Sequence, residues 1–104
     1  MAEARLLRAR LDGDDHENVV RAACDLTRLK IIRVLAETPL PASDLARIIA
    51  RTPSATSQHI RVLREVNAVD ATRSGNVVRY RLTANATARV LEAFARSLES
   101  LGES

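Results

Sequence analysis

Apolar residues recur along this chain at helical spacing in every stretch but one. Leu6, Leu7 and Leu11 fall on one side of a short predicted helix over 3–11, which Asp12-Gly13-Asp14-Asp15 stops. A second helical run begins at His16, with Val19, Val20 and Ala23 apolar. Asp25 is placed to cap or kink the chain before a run in which Leu29, Ile32 and Leu35 repeat beside Leu26, Ile31 and Val34; Pro39 and Pro41 end it. Ser43 or Ala42 opens a short helix with Leu45, Ile48 and Ile49 inward, ending near Ala50. Thr52 then offers an N-cap oxygen and Pro53 suits the first helical position, where its missing N–H costs nothing. That helix runs to Asn67, a residue that tolerates the left-handed backbone which stops a helix.

After Asn67 the period changes from helical to alternating. The sequence predicts a strand at Val69–Arg73, a turn at Ser74-Gly75-Asn76 and a strand at Val77–Leu82. Val78, Tyr80 and Leu82 share one face of it, Arg79 and Arg81 the other. Thr83 or Asn85 caps a long helix to about Leu101, where Ala84, Ala88, Leu91, Phe94, Ala95, Leu98 and Leu101 form a stripe suited to packing on a partner helix. The expected class is mostly α with a small β-hairpin, in the order α-α-α-α-β-β-α, as one domain over 1–104. Two short helices joined tightly and followed by an arginine-bearing hairpin describe a winged helix-turn-helix, with its core at about 42–82.

Composition sharpens this picture. Tyr80 and Phe94 are the only aromatic residues, so the core must be aliphatic. The net charge of +3 is unevenly spread. Residues 42–82 carry seven arginines (Arg47, Arg51, Arg61, Arg64, Arg73, Arg79, Arg81) against Asp44, Glu65 and Asp70, a balance of +4; the remainder sums to −1. Such a segment suits phosphate, although a solvated, salt-bridged surface has the same composition. A single cysteine excludes an intramolecular disulfide. No apolar run approaches the roughly 20 residues of a membrane span, and no secretory signal is evident, so a reduced, cytoplasmic setting is expected.

Candidate chemistry centres on the helix that starts at Pro53. With Ile60 and Leu63 inward, Ser54, Gln58 and Arg61 fall on the opposite face, with Ser57 at its edge. Hydroxyls, an amide and a guanidinium are groups that pair with base edges or phosphates. The alternative for this face is simple solvation. The candidate DNA-contacting set is Thr52, Ser54, Thr56, Ser57, Gln58, His59 and Arg61 on the helix, with Arg73, Arg79 and Arg81 on the hairpin. His59 lies beside the core stripe and fits either a backbone contact with DNA or a packing role.

Three stretches resemble the ArsR/SmtB family of bacterial repressors. Asp25-Leu-Thr-Arg-Leu-Lys-Ile-Ile-Arg-Val-Leu is similar to the family's D-P-T-R-L-x-I-L run, and Ser57-Gln-His-Ile-Arg-Val-Leu-Arg to its S-Q-H-L-x-x-L recognition helix. Arg73-Ser-Gly-Asn-Val-Val-Arg-Tyr-Arg-Leu is similar to its R-x-G-x-x-x-x-Y-x-L wing. The resemblance covers about Ala22 to Leu82, with order and spacing kept. It implies a homodimer built on helices at about 3–24 and 84–101, repression from an inverted-repeat operator on double-stranded DNA, and an effector, often a metal ion, that alters DNA affinity. Leu26 replaces the family's proline, Asn67 replaces a glycine, and no glycine stands near Ala50-Arg51.

The family's metal sites do not carry over. Ala42-Ser43-Asp44-Leu45 lacks the Cys-x-Cys pair, and the last helix holds Glu92 and Glu99 without His or Cys. Asp12, Asp14, Asp15, His16 and Glu17 are the one local donor cluster, and such a run also reads as hydrated acids at a helix start. Cys24 is expected to be a small core residue. No metal site, cofactor or catalytic group is therefore assigned, and an enzyme is not expected. The competing reading, a protein-interaction module, has no need of the arginine surface.

Overall fold

The computed structural model describes residues 14–102. The helix predicted over 3–11 and Asp12 lie outside them, as do the side chains of Asp14, Asp15 and His16. Helix α1 spans Asp14–Ala23, α2 Leu26–Glu37, α3 Ala42–Ile49 and α4 Pro53–Glu65. Strands β1 (Val69–Ser74) and β2 (Val77–Leu82) form an antiparallel hairpin, and α5 spans Ala86–Gly102. The order agrees with the sequence expectation.

Local chemistry sets each boundary. The Asp25 carboxylate accepts the Arg28 N–H at 3.1 Å and caps α2. Burial alone pushes this carboxyl up. The Arg28 N–H, the Arg28 guanidinium and the charge of His59 outweigh it, and Asp25 stays below its usual value. Thr52 caps α4 by accepting the Ala55 N–H at 3.1 Å, with Pro53 at the first position. Asn85, not Thr83, caps α5, accepting the Ala88 N–H at 2.9 Å; the Thr83 hydroxyl instead donates to the Asn67 carbonyl at 2.7 Å.

Two helices end on left-handed residues. At the end of α4, Asn67 has φ +62°, and Ala68 N–H donates to the Leu63 carbonyl at 2.9 Å. At the end of α3 the same geometry falls on an alanine. Ala50 has φ +56°, and Arg51 N–H donates to the Ala46 carbonyl at 3.0 Å. Its Cβ makes this backbone costly by about 1–2 kcal/mol. Ala50→Gly removes that cost but loosens the unfolded chain, so a net gain of about 0.5–1 kcal/mol is expected. Thermal unfolding of the two proteins at equal concentration checks it; an unchanged or lower midpoint would mean that the strain is absent.

The core is one aliphatic cluster. Ile31 and Ile32 of α2, Leu45 of α3, Leu63 of α4 and Leu91 of α5 are fully buried in it. Ile48 was expected inward but stands exposed at 57%, and Ala46 takes the buried position instead. Cys24, expected in the core, is also exposed. It follows α1 at the junction with α2, where the chain turns at the surface.

One pairing was not foreseen. Leu40, between Pro39 and Pro41, forms a β-bridge with Tyr80 of β2. Tyr80 N–H donates to the Leu40 carbonyl at 2.8 Å, and Leu40 N–H to the Tyr80 carbonyl at 3.0 Å. Neither proline is asked for a hydrogen, so the flanking residues leave the bridge intact.

Candidate nucleic-acid interface

Helix α4 divides cleanly into two faces. Thr56, Ile60 and Leu63 are buried, spaced by four and three residues. Ser54, Ser57, Gln58, Arg61 and Arg64 are exposed on the other side, with Thr52 exposed at the cap. Among the described residues, the side chains of Ser57, Gln58, Arg61 and Arg64 make no hydrogen bond or ion pair within the chain. The face is thus polar, accessible and uncommitted, and the helix N-terminus adds outward backbone N–H groups beside it.

Thr56 is a correction to the candidate set. It is fully buried, and its hydroxyl donates to the Thr52 carbonyl at 2.8 Å. That places its side chain within the first turn of α4, not on the outward face. His59 is half-buried, with Nδ1 3.3 Å from Nη1 of Arg28. Arg28 also donates from Nη2 to the Arg21 carbonyl at 2.8 Å and from Nε to the Ala22 carbonyl at 3.2 Å. It therefore ties the end of α1 and the start of α2 to α4. Sequence reasoning assigned Arg28 no role. Its place in the Asp25-Leu-Thr-Arg stretch was visible, but a contact with a residue 31 positions away was not.

The hairpin presents its arginines on two sides. Residues paired across the ladder share a face, so Arg79, opposite Thr72, and Arg81, opposite Asp70, lie on one face. Arg73, opposite Val78, lies on the other, near the turn. Gly75 begins that two-residue turn with φ +62°, as a type II′ hairpin turn requires. All three arginines are exposed. Arg81 donates from Nε to Asp70 at 2.8 Å, and this bond strengthens its hold on its proton. Arg47 is likewise paired with Asp44. Among the described residues the arginines of this segment without a carboxylate partner are Arg51, Arg61, Arg64, Arg73 and Arg79. Arg51 and Arg64 were counted in the charge of the segment but not singled out, and the structure puts both at exposed positions, Arg51 just before α4 and Arg64 in its last turn.

Residues 25–71, which include α2, α3 and α4, match the family described as "Bacterial regulatory protein, arsR family". Over those residues the chain is similar to the family's helix-turn-helix domain. Over 75 residues it is 35% identical to the HTH-type transcriptional regulator NmtR of Mycobacterium tuberculosis. That alignment covers 72% of this chain and 62% of NmtR, so under two thirds of the relative is matched. The fold is shared with the transcriptional repressor BigR from Xylella fastidiosa, at TM-score 0.78 and 24% identity over 97% of this chain and 96% of BigR. It is shared also with Mb0332 of Mycobacterium bovis, described as a homodimeric winged helix-turn-helix DNA-binding domain, at TM-score 0.73 and 23% identity over 94% of this chain and 84% of that one.

The similarity to this family raises the question of a metal. Among the described residues no three His, Cys, Asp or Glu side chains converge on one point. Cys24 is exposed and the last helix has no imidazole or thiol, so the described donors do not fit a thiolate or imidazole site. The acidic cluster around His16 falls outside the described side chains except for Glu17, which is exposed. No helix among the described residues is long and apolar enough to cross a membrane.

Proposed function

We propose that this chain is a cytoplasmic, homodimeric transcriptional repressor that binds an inverted repeat in double-stranded DNA. The observation that carries this reading is the uncommitted outward face of α4, with free arginines on both sides of it. Ser54, Ser57, Gln58 and Arg61 would meet base edges and nearby phosphates in the major groove, with the backbone of Thr52 at the helix start. Arg51, Arg64, Arg73 and Arg79 would neutralise flanking phosphates, and Arg81 would join them only by sharing or leaving Asp70. His59 would steady α4 through Arg28 without itself reading DNA. Within the single domain, residues 42–82 would form the DNA-binding part. The helices at 3–24 and 84–101 would form the dimer; Val20, Val90 and Phe94 are exposed apolar residues there and support that pairing. The chain would act without catalysis and without the family's usual metal sites.

The test is binding of the purified dimer to DNA from around its own gene at several salt concentrations. Each phosphate contact contributes about −0.9 to the slope of log K against log salt. With about six to ten contacts per dimer, affinity should fall by roughly 10³–10⁵ between 50 and 200 mM salt. A folded dimer that shows no binding at low salt would refute the reading.

A further inference from the structure

The outward face of the hairpin holds two arginines in unequal circumstances. Arg79 and Arg81 are exposed on β2, two residues and roughly 7 Å apart along the strand. Across the ladder Arg79 meets Thr72, which carries no charge, while Arg81 meets Asp70. Arg81 donates to both Asp70 oxygens, from Nε at 2.8 Å and from Nη2 at 3.4 Å. The fork that would clasp a phosphate is thus closed on a carboxylate. A line of phosphates that meets Arg79 passes within an arginine's length of Arg81, so pairing, not reach, separates the two.

Folding gives little reason for this acid. Asp70 is the one acidic residue between Glu65 and Glu92. Aspartate is disfavoured in strands. The side chains of Arg81 and Asp70 are 57% and 46% exposed, and an ion pair so open to water adds little stability. What the pair changes is the charge that this face offers to a partner. An arginine on a phosphate releases counterions and strengthens binding to DNA of any sequence. A carboxylate that keeps one arginine back lowers this indiscriminate part of the affinity.

We propose that Asp70 limits sequence-independent binding: it holds Arg81 off the DNA backbone, so that more of the affinity depends on the base contacts of α4. The proposal rests on the DNA-binding reading above and adds to it the residue that sets the balance between grip and recognition.

The test is binding of the full chain to a fragment from around its own gene and to a scrambled duplex, each from 50 to 200 mM salt. Asp70→Asn keeps the shape of the side chain and releases Arg81. One more phosphate contact in each protomer should steepen the slope of log K against log salt by about 1.8 on both DNAs. The affinity gain over the unmodified protein should then be about tenfold larger at 50 mM salt than at 200 mM. It should vanish when Arg81→Met is added, so that the double variant binds as Arg81→Met alone does. Arg79→Met should flatten the slope by about 1.8, which reports that this face lies on the duplex. Circular dichroism melts of Asp70→Asn and the unmodified protein should nearly superimpose. An unchanged slope in Asp70→Asn overturns the proposal. So does a gain that survives without Arg81, which would come from the lost negative charge alone. A gain confined to the gene fragment would place Asp70 in base recognition and overturn the indiscriminate role. Indifference to Arg79→Met would put this face away from DNA and overturn it as well. In each of these cases the unmodified protein still binds DNA. A folded dimer that binds none at 50 mM salt overturns the repressor reading, and this proposal with it.

Discussion

Exchange of Leu63 for alanine is expected to lower the unfolding free energy by about 2–5 kcal/mol. Leu63 is fully buried on the inner face of α4, in the cluster that includes Ile31, Ile32, Leu45 and Leu91. Truncation removes the transfer energy of its lost carbons and leaves a cavity that α2 and α3 cannot close without moving. A domain of this size is stable by only about 5–15 kcal/mol, so the loss is a large share of the total. Urea unfolding followed by circular dichroism, at a fixed protein concentration because dimerisation shifts the midpoint, measures it. A change under about 1 kcal/mol would mean that the site collapses around the smaller residue or is less well packed than the burial indicates.

Joint replacement of Gln58 and Arg61 by alanine is expected to leave stability within about 0.5 kcal/mol and to remove most specific DNA binding. Both side chains are exposed and uncommitted within the chain, so nothing in the fold depends on them. A bidentate pair between such a side chain and a base is worth about 1–3 kcal/mol, so two per protomer, four per dimer, predict a loss of at least about 10³-fold. Fluorescence anisotropy with operator and scrambled DNA at one salt concentration separates this from a phosphate effect, which weakens both DNAs alike. Equal loss on both would shift the reading away from base recognition; no loss would place the DNA face elsewhere.

The residues show why some of the fold could be read in advance and some not. Thr52-Pro53, Asp25 and Asn67 act on backbone groups within three residues of themselves, and the structure puts each where local chemistry directs. Ile48 failed because α3 has only eight residues, too few for periodicity to decide between Ala46 and Ile48 as the buried position. Thr56 was included in the DNA-contacting set, whereas its hydroxyl closes on the Thr52 carbonyl and its side chain is fully buried. Leu40 was hidden by its two prolines, which signal a break to any local rule and say nothing of a strand 40 residues later. The Arg81–Asp70 pair follows from the hairpin register, so drawing the ladder from the turn at Gly75 would have found it. The Arg28–His59 contact joins two helices by tertiary packing alone. For the candidate interface, the outward side of α4 was legible as a pattern, while the division of arginines into paired and free depends on distances that only the fold supplies.

The bridge between Leu40 and Tyr80 has a mechanical consequence. Two backbone hydrogen bonds fasten the middle of β2 to the connection between α2 and α3, so the hairpin cannot swing about its own base as a lone two-stranded ribbon would. Helix α4 and the hairpin tip then behave as the two jaws of a fixed-gap caliper. On the DNA-binding reading, a duplex whose groove spacing matches the gap would be gripped without distortion, and one that does not would have to bend or twist to fit, at an energy set by its own sequence. Discrimination between DNA sites would therefore extend to base pairs that no side chain reaches.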